Sequence, residues 1–314
     1  MDENKKFYLK FSLIIAAIFF IWISGNEKIA APEAAVKKLP ANNKPAALVN
    51  FTPEITNIFD DSKNTLPRRD WSVPYLELQA QAALAIKTDG SRVYYNKNIE
   101  TQRSIASLTK LMTAIIVTEN YDLDTVVEIS RNAVKREGSN GDLRPSESIT
   151  IRSLLDIMLI ESSNDAAFAL SQQRPDFISL MNKKAEELGL SQTHFINPDG
   201  LDSPNSHSSA LDIAKIFGYL INRYPETFEI LKTKNMVVYS FDGKIEHRLA
   251  NTNELLGKVD GIVAGKTGYT DNAGGSLILL TKDDIITVVL GSPARFEESE
   301  KLINWLKTAY IWEK

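Results

Sequence analysis

Proline sets the outer limit on what this chain can fold into. Six of its 12 prolines, Pro32, Pro40, Pro45, Pro53, Pro67 and Pro74, fall within residues 26–74. Proline lacks an amide hydrogen and fixes φ, so it interrupts helices and central strands alike. Apolar periodicity is weak over the same stretch. Residues 26–74 therefore read as a linker, with an r.m.s. span of ~40 Å as a flexible coil. The folding unit is expected in residues 75–314, enough for one domain with a sizeable core.

Ahead of the linker, residues 1–25 carry Lys5, Lys6 and Lys10, then an apolar run from Phe11 to Ile23 interrupted only by Ser12. Phe7 to Ser24 is 18 residues, about 27 Å of helix at ~1.5 Å per residue. That is near the lower limit for crossing a bilayer, roughly 17–25 residues. Basic residues before the run keep the N-terminus cytoplasmic, and Trp22 suits the far interface. Ile23-Ser24-Gly25 is a poor match to the small-residue pattern of a signal-peptide cleavage site. The expectation is an N-terminal signal-anchor, or transmembrane, segment at 1–25. A cleaved signal is the alternative and would give a secreted protein. Either way the rest of the chain lies on the extracytoplasmic side.

From Tyr75 the texture changes. Ala82–Ile86 is a strand-like run, Asp89-Gly90 a turn signal, and Val93-Tyr94-Tyr95 can return antiparallel. A helix is expected from about Ser104, with Leu108, Leu111, Met112, Ile115 and Ile116 on its apolar face. Helical patterns follow through Ile151–Leu170, Phe177–Leu188 and Ala210–Leu220. Ser276–Leu280 and Ile285–Leu290 bracket Lys282-Asp283-Asp284 as a second hairpin, and a helix over Leu302–Ile311 closes the chain. Strands at both ends with helices between imply an α+β domain whose sheet joins the chain ends.

Composition removes whole classes of chemistry. With 36 Lys+Arg against 40 Asp+Glu the net charge is −4, without the basic surplus of a nucleic-acid binder. There is no cysteine, which excludes disulfides, thiolate catalysis and Cys-ligated metals. The three histidines, His194, His207 and His247, form no H-E-x-x-H or similar metal pair, and no metal or cofactor is expected. Catalysis is left to Ser, Thr, Lys, Asp, Glu or Tyr.

Three short strings supply such residues. Ser107-Leu108-Thr109-Lys110 is the only S-x-x-K in the chain, and residues three apart share one helix face. In a first helical turn, free N–H groups favour negative charge developing at Ser107. Lys110 can activate that serine only when neutral, which requires burial or a neighbouring cation. Ser162-Ser163-Asn164 is one of five S-x-N triplets, singled out by its position between two apolar stretches of a helical hairpin. Lys266-Thr267-Gly268 is the only K-T-G; its Lys and Thr can hold a carboxylate, and its glycine lets a ligand approach the strand. Each string alone is a weak signal. Their order, at intervals of 55 and 104 residues (162 − 107 and 266 − 162), is a strong one.

That ordered set resembles the D-alanyl-D-alanine carboxypeptidases, low-molecular-weight penicillin-binding proteins of the serine-peptidase type. Arg103–Ala114 is similar to the family's nucleophile segment. Ser162–Ala167 resembles its second motif, with Ser163 where the family usually has glycine. Phe195–Asp202 and His207–Ala210 resemble its turn before a helix, and Asn251–Leu256 and Gly265–Thr270 its third-motif region. Arg295 matches a family arginine. The resemblance covers roughly residues 75–313.

The resemblance implies a β-lactamase/transpeptidase-like fold, an antiparallel sheet flanked by helices plus a mainly helical subdomain. It implies Ser107 as acyl-enzyme nucleophile and Lys110 as its base, with a pKa lowered partly by Lys266. Ser162 would relay a proton to the leaving D-alanine, and Asn164 would orient Lys110 and the substrate amide. Lys266, Thr267 and Arg295 would bind the terminal carboxylate, while Gly268 belongs to the third motif. Backbone N–H groups of Ser107 and Tyr269 would form the oxyanion hole. The implied substrate is a peptidoglycan stem peptide ending in D-Ala-D-Ala, with β-lactam antibiotics as inhibitors. A D,D-endopeptidase with the same machinery is the alternative. A class A β-lactamase is disfavoured, because no E-x-x-x-N lies between Asn164 and Lys266. A non-catalytic penicillin-binding wall protein is disfavoured because every motif group is present. Many relatives carry a further β-rich domain and a C-terminal amphipathic anchor. Here the N-terminal run is expected to take over as the tether, and a fragment lacking residues 1–70 is expected to fold.

Overall fold

The computed structural model describes residues 67–312. The expected anchor at 1–25 and the linker up to residue 66 lie outside the described residues. Among the described residues, no helix is long and apolar enough to cross a membrane.

Eleven strands occur in the described chain: β1 Arg68–Arg69, β2 Ala82–Lys87, β3 Val93–Lys97, β4 Val126–Glu128, β5 Ser148–Thr150, β6 Asn235–Tyr239, β7 Glu246–Ala250, β8 Ile262–Thr270, β9 Gly274–Thr281, β10 Ile285–Ser292 and β11 Tyr310–Ile311. Five build an antiparallel sheet in the order β3-β2-β10-β9-β8. Both expected hairpins are present, β2–β3 around Asp89-Gly90 and β9–β10 around Lys282–Asp284. Side chains alternate across a strand, so the continuous apolar runs of β2 and β10 feed two cores. Leu84, Ile86, Val288 and Leu290 face a cluster with the central helices. Ala83, Ala85 and Val289 face Leu302, Trp305 and Leu306 of the last helix. A sheet buried on both faces needs near-continuous hydrophobic strands, and the sequence supplies them.

The helices span Lys110–Asn120, Ile151–Ile160, Asn164–Ser171, Phe177–Glu187, Ala210–Arg223 and Arg295–Ala309, with shorter ones at Arg131–Val134 and Pro225–Ile230. Several start on side-chain caps: Thr150 accepts from the Ser153 amide (3.1 Å), Ser163 from Ala166 (3.0 Å) and Ser209 from Asp212 (3.1 Å). Two boundaries differ from expectation, while the break expected at Ser162 is present. The helix expected from Ser104 begins as a 3-10 turn at Ala106–Thr109 and becomes α-helical at Lys110, because Ala106 takes a left-handed φ of 48°. The Ile151–Leu170 pattern divides around Ser162, whose φ of 62° no helix admits. The final helix starts at Arg295 and ends at Ala309, where the chain enters β11.

The folded region also begins before residue 75. β1 pairs antiparallel with β11, Arg68 opposite Ile311 and Arg69 opposite Tyr310. The buried Arg69 guanidinium donates to Ala309 O (3.0 Å) and Val73 O (2.6 Å) and lies 5.0 Å from the Trp305 ring. Trp305 Nε1 donates to Pro74 O (2.8 Å). A two-residue strand carries no periodicity, so the sequence could not announce it.

This moves the useful truncation point from residue 70 to residue 66. A fragment beginning at 67 is expected to melt higher than one beginning at 76, which loses Arg69 and its aromatic contacts. Each 1 kcal/mol lost should appear as about 2–4 °C in a domain of this size. Equal melting temperatures by circular dichroism would show that residues 67–75 contribute nothing to the fold.

Candidate active site

The turn at Ala106–Thr109 places Ser107 half-buried at the start of the Lys110–Asn120 helix, while Lys110 is fully buried. Lys110 Nζ lies 2.8 Å from Ser107 Oγ, 2.6 Å from Asn164 Oδ1 and 2.7 Å from the Asp199 carbonyl oxygen. The last two groups can only accept. A neutral amine has two hydrogens and one lone pair. Giving the hydrogens to Asn164 and Asp199 leaves the lone pair facing the Ser107 hydroxyl.

Asn164 is fixed at its other end, where Nδ2 donates to Glu137 O (2.7 Å) and its amide to Ser139 O (2.7 Å). Asp199 O is delivered by the 197–201 turn. Gly200 there has φ 83°, and a Cβ would sit 2.0 Å from Ala106 O, so only glycine fits. Ala106 and Ser162 both hold left-handed backbone that non-glycine residues rarely adopt, one beside each motif hydroxyl.

The third motif lies on β8, the edge strand beside the 3-10 turn. Lys266 Nζ donates to Ser162 Oγ (2.7 Å) and Thr267 O (3.0 Å), and Thr267 Oγ1 is 2.6 Å from Thr252 Oγ1. At Gly268 a Cβ would lie 3.0 Å from Ile105 O and 3.1 Å from the Ser107 amide nitrogen, so its absence brings β8 against the turn. Tyr269, 61% exposed, follows on the strand. The Arg295 guanidinium lies 5.9 Å from the Tyr269 ring and 4.6 Å from that of Phe296. Its Nε is buried without a hydrogen-bond partner. Ser107, Lys110, Ser162, Asn164, Lys266 and Thr267 are thus joined in two hydrogen-bonded groups, with Gly268, Tyr269 and Arg295 beside them.

Burial drives both ammonium groups toward their neutral forms. It brings Lys110 down to about 7; Asp199 and Asp165 favour its charge, and Arg136 opposes it. Arg136 is thus a cation that the sequence reading did not single out, and the charges of Lys110 and Lys266 also disfavour each other. Lys266 is also held well below its ordinary value, by burial first and then by the charges of Lys110 and Arg295.

Sequence reasoning missed several supporting groups. Asp199 belongs to a segment recognised by resemblance but given no role. Its carboxylate pairs with Arg136, and that of the buried Asp165 accepts from the Gly141 amide (2.9 Å). Ser163, unusual at its position, caps the Asn164–Ser171 helix. His194 and His207 face each other in a two-way backbone bridge, 6.3 Å between rings. Among the described residues no cluster of three or more His, Cys, Asp or Glu could hold a metal.

Comparison with known proteins agrees with this geometry. Residues 69–294 match the Peptidase_S11 family, D-alanyl-D-alanine carboxypeptidase. The chain is 33% identical over 249 residues to D-alanyl-D-alanine carboxypeptidase DacF of Bacillus subtilis, covering 74% of this chain and 62% of that one, so it spans less than two thirds of that relative. It is 31% identical over 248 residues to a D-alanyl-D-alanine endopeptidase of Pseudomonas aeruginosa, covering 75% and 79%. The crystal structure of D-alanyl-D-alanine carboxypeptidase from Mycobacterium tuberculosis H37Rv superposes with a TM-score of 0.70 at 26% identity, over 79% of this chain and 99% of that one. With the β-lactamase/transpeptidase-like fold and the ordered motifs, these matches place the chain in the D-alanyl-D-alanine carboxypeptidase family of serine peptidases.

Proposed function

We propose that this protein is a serine-type D,D-carboxypeptidase that removes the terminal D-alanine from peptidoglycan stem peptides. The observation that carries the reading is the Lys110 amine, buried, drawn toward neutrality and 2.8 Å from Ser107 Oγ. Ser107 passes its proton to Lys110 and attacks the carbonyl of the penultimate D-alanine. The oxyanion is held by the Ser107 and Tyr269 amides; Gly268, which precedes Tyr269 on β8, lies against the Ser107 amide nitrogen. Ser162, linked to Lys266, relays the proton taken up by Lys110 to the departing D-alanine nitrogen, which leaves Lys110 neutral and the Ser162 hydroxyl restored. Asn164 keeps Lys110 and the substrate amide in place. Water then hydrolyses the acyl-enzyme. A β-lactam follows the first half of this path and remains as an ester on Ser107.

Lys266, Thr267 and Arg295 hold the substrate's terminal carboxylate. An incoming carboxylate restores positive charge to Lys266. The apolar run in residues 1–25 anchors the protein to the cytoplasmic membrane, and residues 26–66 tether a domain working on the extracytoplasmic side. D,D-endopeptidase activity is a second reading. It is consistent with the endopeptidase relative, which is 31% identical over 248 residues.

A synthetic pentapeptide ending in D-Ala-D-Ala should lose one D-alanine by mass spectrometry, and a crosslinked dimer should persist under the same conditions. Cleavage of the dimer alone would select the endopeptidase. A fluorescent penicillin should label the wild-type protein and leave Ser107→Ala unlabelled; an unlabelled wild type would remove the enzyme reading. Replacing Lys110 with glutamine should slow acylation by about 10²–10⁴-fold.

The pH dependence follows from the same lysine. Only neutral Lys110 accepts the proton, so acylation should rise as pH is taken up through about 7. A rate constant that stays flat from pH 5.5 to 8.5 would argue against Lys110 as the base.

A further inference from the structure

The segment from Glu137 to Glu147 lies outside the three motifs, yet it holds Asn164 through the Glu137 and Ser139 carbonyls. Its backbone is left-handed at Gly138 (φ 86°), Asp142 (54°) and Ser146 (64°). Such a path persists only when its surroundings over-determine it. Here the anchor is Gly141, gripped from both sides. Its amide donates to the Asp165 carboxylate at 2.9 and 3.1 Å. Its carbonyl oxygen lies 3.1 Å from His247 Nδ1, and His247 Nε2 lies 2.7 Å from Glu147 Oε1. His247 and Glu147 are both buried.

The hydrogens in this arrangement can be counted. The Gly141 carbonyl only accepts, so Nδ1 carries a hydrogen. The contact between Nε2 and Oε1 needs a second hydrogen, on the ring or on the carboxyl. The pair therefore holds one proton more than a neutral imidazole beside a carboxylate. Removing it leaves two acceptors facing each other at one contact or the other.

We propose that the His247–Glu147 pair is a proton-dependent clamp on loop 137–147 that positions Asn164, and through it Lys110, for the reaction. The route is continuous: His247 to Gly141, along the loop to Glu137 and Ser139, then Asn164 and Lys110 Nζ. His247 is a positioning residue; no hydrogen bond joins it to Ser107 or Lys110. A cavity of about 450 Å³, lined by Asn140, Asp142, Arg144, Asp165, Glu246 and His247, gives the loop room to shift when the clamp opens. Around the ring, Glu147, Asp142 and Glu161 favour the extra proton; the charged groups Asp165, Glu246 and Arg144 line the same cavity.

The hydrogen bond to Glu147 holds the His247 pKa above its ordinary value against the opposing effect of burial. A raised folded pKa contributes stability that is complete below the unfolded value of about 6.5 and is lost as pH rises through the folded one. The clamp thus opens on the alkaline side, opposite to the limb set by Lys110.

The inference rests on the proposed acylation of Ser107 for one of its two readouts. Glu147→Gln can donate its side-chain amide to a neutral Nε2, so the ring keeps both contacts, Nδ1–H still on the Gly141 carbonyl, without the extra proton. It is expected to acylate with a fluorescent penicillin at close to the wild-type rate at pH 6 and to hold its rate on the alkaline side, where the wild type loses roughly 10–100-fold as its clamp opens. Its rising limb through about 7 should be unchanged. His247→Phe should lower the rate by a similar factor already at pH 6, with thermal unfolding verifying that it folds. The second readout is amide hydrogen exchange over residues 137–147, corrected for the intrinsic rate: protection is expected to fall toward alkaline pH in the wild type, to persist in Glu147→Gln and to be weak at every pH in His247→Phe. pH profiles parallel to the wild type together with unchanged exchange would overturn the clamp. A wild-type protein that fails to acylate would count against the proposed function, and exchange alone would then decide the clamp.

Discussion

A lysine amine buried with no carboxylate bonded to it is expensive in its charged form, because no solvent compensates the ammonium. This fold does it twice. Lys110 and Lys266 are both essentially inaccessible, and the groups they bond, hydroxyls, a side-chain amide and backbone carbonyls, are all uncharged. Much else in the structure serves that constraint. The helical layer covers Lys110, and β8 carries Lys266 against the same wall. The 197–201 turn supplies a carbonyl in place of a carboxylate. The carboxylate of Asp199 itself pairs with Arg136, whose charge opposes the pull that Asp199 exerts on the amine.

The strain in the backbone follows from the same demand. Presenting Ser107 at the head of a helix, close to β8 yet open to a substrate, requires a sharp approach, and Ala106 provides it. Ser162 makes the corresponding bend in the helical hairpin and so meets Lys266. Neither residue prefers the left-handed region, so packing must enforce both conformations. The Cβ-free faces of Gly200 and Gly268 press on that first turn from two directions.

The parts of the fold that were legible in sequence are those set by local pattern. The two hairpins announce themselves through β-branched runs around polar turns, and the interruption at Ser162 through the gap between apolar stretches. Legibility ends where conformation is imposed from a distance. Nothing in Ala106 signals a positive φ, and nothing in Arg68-Arg69 signals a strand completed by residues 310–311. Arg136, Asp165 and His247 are ordinary polar residues in sequence. Their roles appear only when a loop, a helix and a hairpin distant along the chain are brought together. The motif side chains were readable because their spacing is distinctive, whereas the groups supporting them have no spacing to read.

The short β1–β11 ribbon has a mechanical meaning. It joins the first and last described strands beside an aromatic cluster that includes Tyr94 and Tyr95 of β3. In the sheet order β3-β2-β10-β9-β8 that edge is the one farthest from the strand bearing Lys266. Tension on the chain ahead of residue 67 would be borne first by the ribbon, the Arg69 guanidinium and the packed rings around Trp305. A load entering at Arg68 would thus meet the sheet at the margin opposite β8.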